Sequence, residues 1–323
     1  MTALLDVRGL TVDFTGPRAQ RAVDGVDLTL APRERLAIVG ESGSGKSQLL
    51  LACTGLLAAN GHATGSVRFD GLEHLDDADA TSRVRGAGIG FVFQDAGGSL
   101  TPHRRIGDQL AEVARLRAGA SKREAANDSA AMLERVRLPD PRGALALYPH
   151  ELSGGMRQRV AIALALMARP RVLFADEPTT ALDVTVQAEV MALLAELCDG
   201  LGMALVLVTH DLGVVAALAD RIAVMYAGRI VEEGAAQVLL SSPAHPYTVG
   251  LLAAVPTLTG QKGGELPTVA GQPPEPGTVF SGCRFEPRCP RAGEPCRSLD
   301  PALEVFGDLR VACHFPVAPG QAA

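Results

Sequence analysis

A glycine-rich octet near the N-terminus restricts the possible folds of this chain more than any other segment. It follows an apolar run at residues 36–39, precedes a helical pattern at residues 46–57, and fits the pattern G-x-x-x-x-G-K-[ST]. Glycines let backbone N–H groups curl around an anion, and the first turn of a helix adds partial positive charge. The octet therefore predicts a nucleotide phosphate loop, with Lys46 at the β- and γ-phosphates and the Ser47 hydroxyl on Mg²⁺. Its residues are Gly40, Glu41, Ser42, Gly43, Ser44, Gly45, Lys46 and Ser47.

Four apolar runs, at residues 36–39, 89–93, 172–175 and 204–208, share one pattern. Each is rich in aliphatic residues and is followed by a polar or glycine-rich turn, which is typical of buried parallel strands. Ligands of open α/β sheets lie at the C-terminal ends of such strands. The side chains that follow the runs are therefore candidates for the same site as the octet. They are Gln94, Asp176, Glu177 and His210.

These candidate side chains suit the hydrolysis of a nucleotide. Asp176 is expected to hold the metal shell, directly or through water, and Glu177 to polarise the attacking water. Gln94 offers a neutral oxygen to Mg²⁺. His210 is expected to donate a hydrogen bond to a γ-phosphate oxygen, with a structural role as the alternative.

Helical patterns fill the spaces between the predicted strands, and the stretch from about 95 to 165 is mainly helical, which predicts an inserted subdomain. Hydrophobic residues make up 47% of the 323 residues and aromatic residues 4%, a composition that suits a layered α/β protein. From residue 241 the composition shifts toward Pro and Gly, which indicates a linker. We therefore predict a first domain at residues 1–235 and a C-terminal extension at residues 236–323. The helical patterns cover residues 106–117, 122–136, 156–168 and 184–197.

Charge and hydropathy exclude several other classes of protein. The net charge of −6 argues against a globally basic nucleic-acid binder, so no nucleic acid is expected as a partner. The longest apolar run, residues 160–168, is far shorter than the roughly 20 residues that a membrane-spanning helix needs. The N-terminus shows no secretory pattern, which favours the cytoplasm.

Four of the six cysteines, Cys283, Cys289, Cys296 and Cys313, crowd into the last part of the chain. Four thiolates are the usual ligands of a [4Fe–4S] cluster. The nearby arginines, including Arg284 and Arg288, are expected to favour the thiolate form. The spacing is wider than in most structural zinc sites, so zinc is one alternative, and free thiols or disulfides are another.

A second glycine motif, residues 152–158 (LSGGMRQ), precedes the helical pattern that ends near residue 168. Ser153, Gly154 and Gly155 place free N–H groups at the start of that helix, which predicts a second anion site without a lysine of its own. With this motif the chain resembles the nucleotide-binding subunits of ABC transporters, in which two subunits enclose ATP. The resemblance covers roughly residues 4–235. It implies that Ser153 caps the nucleotide of a neighbouring subunit, that Asp183 lies in a loop at the subunit interface and that Phe14 stacks on adenine, although Phe14 also suits a core position.

The closer resemblance is to the ATP-binding subunits of oligopeptide and dipeptide importers. It rests on residues 179–187 (TTALDVTVQ), on residues 244–248 (AHPYT) and on residues 282–290 (GCRFEPRCP). The implied fold is an α/β P-loop NTPase (ABC ATPase) core with an inserted α-helical subdomain and a small Cys-rich C-terminal extension. One departure is residues 95–102 (DAGGSLTP), a segment that is expected to touch the membrane partner.

The resemblance implies an ATPase that drives uptake of di- and oligopeptides, with ATP, Mg²⁺ and a [4Fe–4S] cluster as cofactors. The implied partners are a second, related ATPase subunit, two transmembrane permease subunits and an extracytoplasmic binding protein, and the implied location is the cytoplasmic face of the cell (inner) membrane. Nickel or glutathione import is an alternative within this class. A soluble ABC ATPase and a redox-sensing interaction module are alternatives from other classes.

Overall fold

The computed structural model describes residues 3–17, 19–180, 182–254 and 269–318. In these ranges the strands are β1 (Leu5–Phe14), β2 (Gln20–Leu30), β3 (Arg35–Val39), β4 (Gly61–Phe69), β5 (Leu72–Glu73), β6 (Ile89–Val92), β7 (Val172–Asp176), β8 (Ala204–Val208), β9 (Arg221–Tyr226), β10 (Arg229–Ala235), β11 (Glu304–Phe306) and β12 (Leu309–Val311). The helices are α1 (Lys46–Cys53), α2 (Ala78–Val84), α3 (Ala96–Ser99), α4 (Ile106–Ala118), α5 (Lys122–Arg135), α6 (Pro141–Ala144), α7 (Gly154–Leu166), α8 (Val184–Leu201), α9 (Leu212–Leu218), α10 (Ala236–Ser241), α11 (Pro246–Ala253) and α12 (Glu294–Ser298).

The chain folds as two compact units, each made of several segments. The helical unit comprises Met1–Leu4, Leu30–Glu34 and Phe69–Val208. The phosphate-loop unit comprises Leu5–Thr29, Arg35–Arg68 and Thr209–Ala323. Within the described part of both units, no helix is long and apolar enough to cross a membrane.

The helical unit is built on three parallel strands, β6, β7 and β8. Val172 of β7 pairs with Ile89 on one side and with Ala204 on the other. All residues of β7 and β8 are buried, which is why their sequences are nearly continuous apolar runs. Helices α3 to α7 lie between β6 and β7 in the chain, and α8 follows β7.

Helix α8 is longer than its sequence pattern predicts, because it continues through Gly200 to Leu201. Gly202 ends it in a left-handed conformation, with φ at 64°. That conformation is strained for residues with a Cβ atom, so glycine is the natural helix terminator here.

The phosphate-loop unit joins the nucleotide loop and the C-terminal residues in one run of strands. Strand β3 is parallel to β9, which pairs antiparallel with β10, and β10 pairs antiparallel with β12. Strand β11 completes the run beside β12. The apolar core of this unit includes Tyr226, Tyr247 and Phe285, whose rings lie 4.7–5.4 Å apart. The linker is predicted to begin at residue 241, but Pro246–Ala253 form α11, so that part of the prediction is wrong. Residues 255–268 lie outside the described residues.

Candidate nucleotide-binding site

The phosphate loop occupies residues 40–47, between β3 and α1, and its backbone packs closely against neighbouring backbone. A Cβ atom added to Gly40 would lie 2.1 Å from the carbonyl oxygen of Met225, and one added to Gly45 would lie 2.3 Å from that of Ala22. Neither backbone oxygen can move away easily, so only glycine fits at these positions. Gly40 and Gly45 are therefore required by packing, in addition to the anion binding that the pattern predicts.

Lys46, the first residue of α1, is 5% exposed. Its ammonium group donates hydrogen bonds to the carbonyl oxygens of Gly40 at 2.8 Å and Glu41 at 2.9 Å, and to the Ser44 hydroxyl at 3.3 Å. These bonds hold the cation inside the curve of the loop. The position of Lys46 thus depends on the backbone of the residues that form the loop.

Glu41 has partners that the sequence analysis missed. Its backbone N–H donates to the Tyr247 hydroxyl at 2.8 Å. Its carboxylate accepts two hydrogen bonds from Arg288, at 2.6 and 3.0 Å. Both partners lie about 200 residues or more along the chain. No periodic pattern links them to the octet, and the sequence analysis assigns Arg288 to the cysteines instead.

His210 belongs to the phosphate-loop unit and is exposed. The preceding residue, Thr209, is buried, and its N–H donates to the carbonyl oxygen of Ile38 in β3 at 3.3 Å. The following residue, Asp211, caps α9 by accepting from Gly213 and Val214. His210 is thus fixed on both sides, next to the strand that leads into the phosphate loop.

Gln94 and Glu177 meet in the helical unit. The Gln94 amide donates to Glu177 Oε2 at 3.2 Å, and the Thr180 hydroxyl donates to the same oxygen at 2.8 Å. The backbone of Glu177 is left-handed, with φ at 44°, and its N–H donates to the carbonyl oxygen of Val208. A left-handed residue with a side chain costs about 1–3 kcal/mol, and such strain is often found at functional sites. The sharp turn directs the chain away from β7 immediately after Asp176.

Asp176 is the last residue of β7, where it pairs with Val208 of β8. It is 6% exposed, whereas Gln94 is exposed and Glu177 is half-buried. A carboxylate this buried needs polar or charged partners. The helical unit therefore carries two adjacent carboxylates with different surroundings, one buried and one half-buried.

The second glycine motif begins α7 in the helical unit. Ser153 is the N-cap, and its hydroxyl oxygen accepts from the Met156 N–H at 3.3 Å. Fewer N–H groups are therefore available at this helix start than the sequence predicts, because the Ser153 hydroxyl accepts the hydrogen bond of the Met156 N–H. Gly154 and Gly155 form the first turn, which carries the partial positive charge of the helix. The anion site at this turn stays a prediction.

Comparison with known proteins identifies the family. A family model described as "ABC transporter" matches residues 23–180, and one described as "Oligopeptide/dipeptide transporter, C-terminal region" matches residues 231–296. The oligopeptide transport ATP-binding protein OppD of Salmonella typhimurium is 49% identical over 97% of this chain and 94% of its own length. The chain belongs to the ABC transporter family. It is one of the family's ATP-binding subunits.

Other relatives of this ABC subunit give the same result. The dipeptide transport ATP-binding protein DppD of Haemophilus influenzae is 43% identical over 98% of the chain and 96% of its own length. Among solved structures, the dimeric ATP-binding cassette MJ0796, in a post-hydrolysis state bound to ADP and Pi, superposes with a TM-score of 0.64. It is 31% identical and matches 72% of this chain and 98% of its own. The predicted ABC ATPase fold class is thereby confirmed.

Asp183 and Phe14, for which the resemblance implies functional contacts, also have local structural roles in this ABC subunit. Asp183 is the N-cap of α8 and accepts from the Val186 N–H at 3.0 Å. Phe14 ends β1 and is half-buried, and a Cβ atom added to Gly61 would lie 2.8 Å from its ring. Their roles at the subunit interface and on adenine stay predictions.

The expected iron–sulfur cluster of the ABC subunit is not supported. Among the described residues, no group of three or more His, Cys, Asp or Glu side chains is arranged to hold a metal ion. Burial raises the pKa of the Cys283 and Cys313 thiols to about 11, and it also raises the pKa of Cys289. Repulsion from the neighbouring cysteines acts in the same direction. The neutral thiol is therefore favoured at Cys283, Cys289 and Cys313 at physiological pH, and none of the four cysteines forms a disulfide.

The prediction that nearby arginines favour thiolates is also wrong, because two of them have carboxylate partners. Arg284 pairs with Asp24, and Arg288 pairs with Glu41. Each guanidinium is mostly buried in its ion pair. Their charge is thus used to fix the segment to the rest of the phosphate-loop unit.

Proposed function

We propose that this ABC transporter subunit hydrolyses ATP to drive import of di- and oligopeptides. The observation that carries the proposal is 49% identity over 97% of the chain to an oligopeptide transport ATP-binding protein. The match includes the C-terminal region that is typical of oligopeptide and dipeptide transporters. The phosphate loop and the Gln94–Glu177 pair supply groups suited to the chemistry.

In the proposed mechanism, the phosphate loop and Lys46 bind the β- and γ-phosphates. The Ser47 hydroxyl and the Gln94 amide oxygen would hold Mg²⁺, with Asp176 in the metal shell; Mg²⁺ offsets phosphate charge when bound. Hydroxyl and amide oxygens are hard ligands, so these donors suit that ion. Glu177 accepts the proton of the attacking water, a role that its position directly after Asp176 and its hydrogen bonds from Gln94 and Thr180 support.

The remaining contacts to ATP are proposed on the family likeness. His210 donates a hydrogen bond to the γ-phosphate, and Phe14 stacks on adenine. Ser153, with Gly154 and Gly155, caps the nucleotide of a second subunit, and Asp183 lies at the interface. Removal of the γ-phosphate by hydrolysis then removes the contacts that keep the two subunits together.

We further propose the assembly in which the subunit works. Its partners are a second, related ATPase subunit, two transmembrane permease subunits and an extracytoplasmic binding protein, at the cytoplasmic face of the membrane. Residues 1–235 form the nucleotide-binding domain, with a helical insert at about 95–165 that passes motion to the permeases. Residues 236–323 form the C-terminal extension.

Transport by the reconstituted complex tests this function. Vesicles that contain the permeases, both ATPase subunits and the binding protein are expected to accumulate a labelled peptide only when ATP is supplied on the side of the ATPase subunits. Lys46→Ala is the matched control, because it removes the cation of the phosphate loop and should abolish both nucleotide binding and uptake. Peptide uptake by the Lys46→Ala complex at the unmodified rate would contradict the proposal. ATP-dependent uptake of nickel or glutathione in place of peptide would contradict the peptide substrate and support the alternative importer.

A further inference from the structure

Arg288 contacts the phosphate loop, and its three side-chain nitrogens all donate hydrogen bonds. Its Nη1 and Nη2 atoms donate to the two carboxylate oxygens of Glu41 at 2.6 and 3.0 Å. Its Nε donates to the Ala270 carbonyl oxygen at 2.8 Å, and Nη2 also donates to that of Val269 at 3.3 Å. The Tyr226 hydroxyl oxygen also accepts from Nη1, at 3.4 Å. The side chain is only 4% exposed, so these bonds are made largely out of water.

The segment that carries Arg288 is anchored independently of Glu41. Phe285 packs on the Tyr226 and Tyr247 rings at 5.3 and 5.4 Å. Arg284 bonds the Ala227 carbonyl oxygen and pairs with Asp24. A guanidinium fixed in this way presents a rigid fork to its partner, and a two-pronged arginine–carboxylate pair is among the stronger polar contacts in proteins.

Glu41 transmits this anchoring to the functional cation of the loop. Its carbonyl oxygen accepts from Lys46 Nζ at 2.9 Å, and its N–H donates to the Tyr247 hydroxyl. Because the side chain, the N–H and the carbonyl of Glu41 are all bonded, the position of Lys46 is linked through one residue to Arg288.

Glu41 also poses an electrostatic problem that Arg288 solves. A carboxylate in a loop that receives a polyanion repels the ligand, and the repulsion is strong where water is scarce. The guanidinium of Arg288 cancels that charge through direct hydrogen bonds. Loss of Arg288 would therefore weaken ATP binding in two ways, by freeing the loop and by exposing a negative charge beside it.

We propose that Arg288 is a positioning residue for the reaction, which holds Glu41 in place and neutralises it so that the loop and Lys46 are ready for the triphosphate. This inference rests on the proposed function, because it takes ATP as the ligand of the loop. It assigns the cysteine-rich segment a direct part in nucleotide affinity.

Nucleotide titration of the full-length chain tests the inference. Arg288→Met keeps the approximate volume and removes the charge, and it is expected to weaken ATP binding about ten-fold or more. The KM for ATP should rise correspondingly, with little change in kcat at saturating ATP, which a purely structural role would not produce. The double variant Glu41→Gln with Arg288→Met should regain most of the affinity, because the unpaired carboxylate is gone.

Arg284→Met is the matched control, since it removes a mostly buried arginine from the same segment without touching Glu41. It should lower the unfolding midpoint and weaken ATP binding much less than Arg288→Met does, because Phe285 still anchors the segment and Glu41 keeps its partner. An equal loss of affinity in Arg284→Met, or no loss in Arg288→Met, would overturn the inference. If Arg288→Met does not fold, Arg288→Gln decides: it removes the charge and keeps a polar side chain, so an unchanged affinity for ATP would overturn the inference.

The same titration separates this inference from the proposed function. If the unmodified chain binds ATP and Lys46→Ala does not, the function stands and the Arg288 variants alone decide the inference. If the unmodified chain fails to bind ATP, the proposed function and the inference that rests on it both fail.

Discussion

Glu41 and Glu177 are both carboxylates that follow a buried strand, but the hydrogen bonds described for them come from different donors. Glu41 accepts two bonds from the charged guanidinium of Arg288, in a largely buried ion pair. Glu177 accepts from the neutral donors Gln94 and Thr180. A carboxylate bonded to a fixed cation is a poor base, because protonating it would break the pair. The pair with Arg288 therefore makes Glu41 a structural carboxylate, whereas Glu177 is the carboxylate that we propose as the base.

The largest expected effect comes from Glu177→Gln. This change keeps the size and hydrogen bonding of the side chain but removes the base, so ATP turnover should fall by about 100-fold to 10,000-fold. ATP binding should persist, and the closed ATP-loaded dimer should accumulate, as measured by turnover assay and by size-exclusion chromatography. Steady turnover in this variant would break the proposed difference between the two carboxylates.

The second prediction concerns pH and His245, the N-cap of the helix that carries Tyr247, whose hydroxyl accepts from the Glu41 N–H. His245 is 1% exposed, and burial lowers the pKa of its ring from 6.5 to about 3. Because the folded pKa lies below the unfolded one, the unfolded state binds a proton first as the pH falls. The free energy of unfolding should therefore drop by about 1.4 kcal/mol per pH unit between pH 6.5 and pH 3.

His245→Asn isolates this effect. His245 Nδ1 accepts from the Tyr247 N–H at 3.0 Å at the start of α11, and asparagine is a favoured N-cap that does not titrate. Denaturant titrations at pH 7 and pH 5 should show a smaller loss of stability in the variant than in the unmodified chain. Equal losses would assign the acid sensitivity to other groups.

A smaller effect is expected when the backbone support of Glu41 is removed. Tyr247→Phe deletes the hydroxyl that accepts from the Glu41 N–H at 2.8 Å. An unsatisfied donor costs about 1–3 kcal/mol, so urea titration should show a loss of stability in that range. A loss of stability without any loss of ATP affinity would mean that the Arg288 pair alone holds Glu41.

The smallest effect is expected from Thr180→Ala on the opposite carboxylate. The change removes one neutral hydrogen bond to Glu177 and leaves the bond from Gln94. Stability should change by only about 1 kcal/mol, while turnover falls a few-fold because the base is less well oriented. A collapse in turnover as large as that of Glu177→Gln would show that Thr180 takes part in the chemistry itself.

The sequence was sufficient to predict the parts of the site that depend on local pattern. The octet at residues 40–47 lies between a strand and a helix, as predicted. Gln94 comes shortly after β6, Asp176 is the last residue of β7 and Glu177 follows it, also as predicted. These features are local because strand ends and glycine loops are encoded by neighbouring residues. The same holds for the helices between β6 and β7, where apolar periodicity marks the buried face.

The Arg288 contact and the thiol chemistry were not predictable in this way. Glu41 and Arg288 are 247 residues apart. Glu41 lies in a loop and Arg288 in a three-residue 3-10 helix, which is too short for a period to reveal a shared neighbour. The sequence predicts thiolates beside these arginines, because composition counts charges without showing their partners. Burial then decided the state of Cys283 and Cys313, and burial depends on the tertiary fold.

The pairing of β12 with β10 bears on how the gene can be shortened. A chain cut after residue 235 would lose the strand that covers β10 and would leave an open row of backbone donors and acceptors, which invites intermolecular aggregation. The same cut would take Tyr247 and Arg288 away from Glu41. A shortened chain that ends at residue 235 would thus be prone to aggregation, and its phosphate loop would be less well ordered.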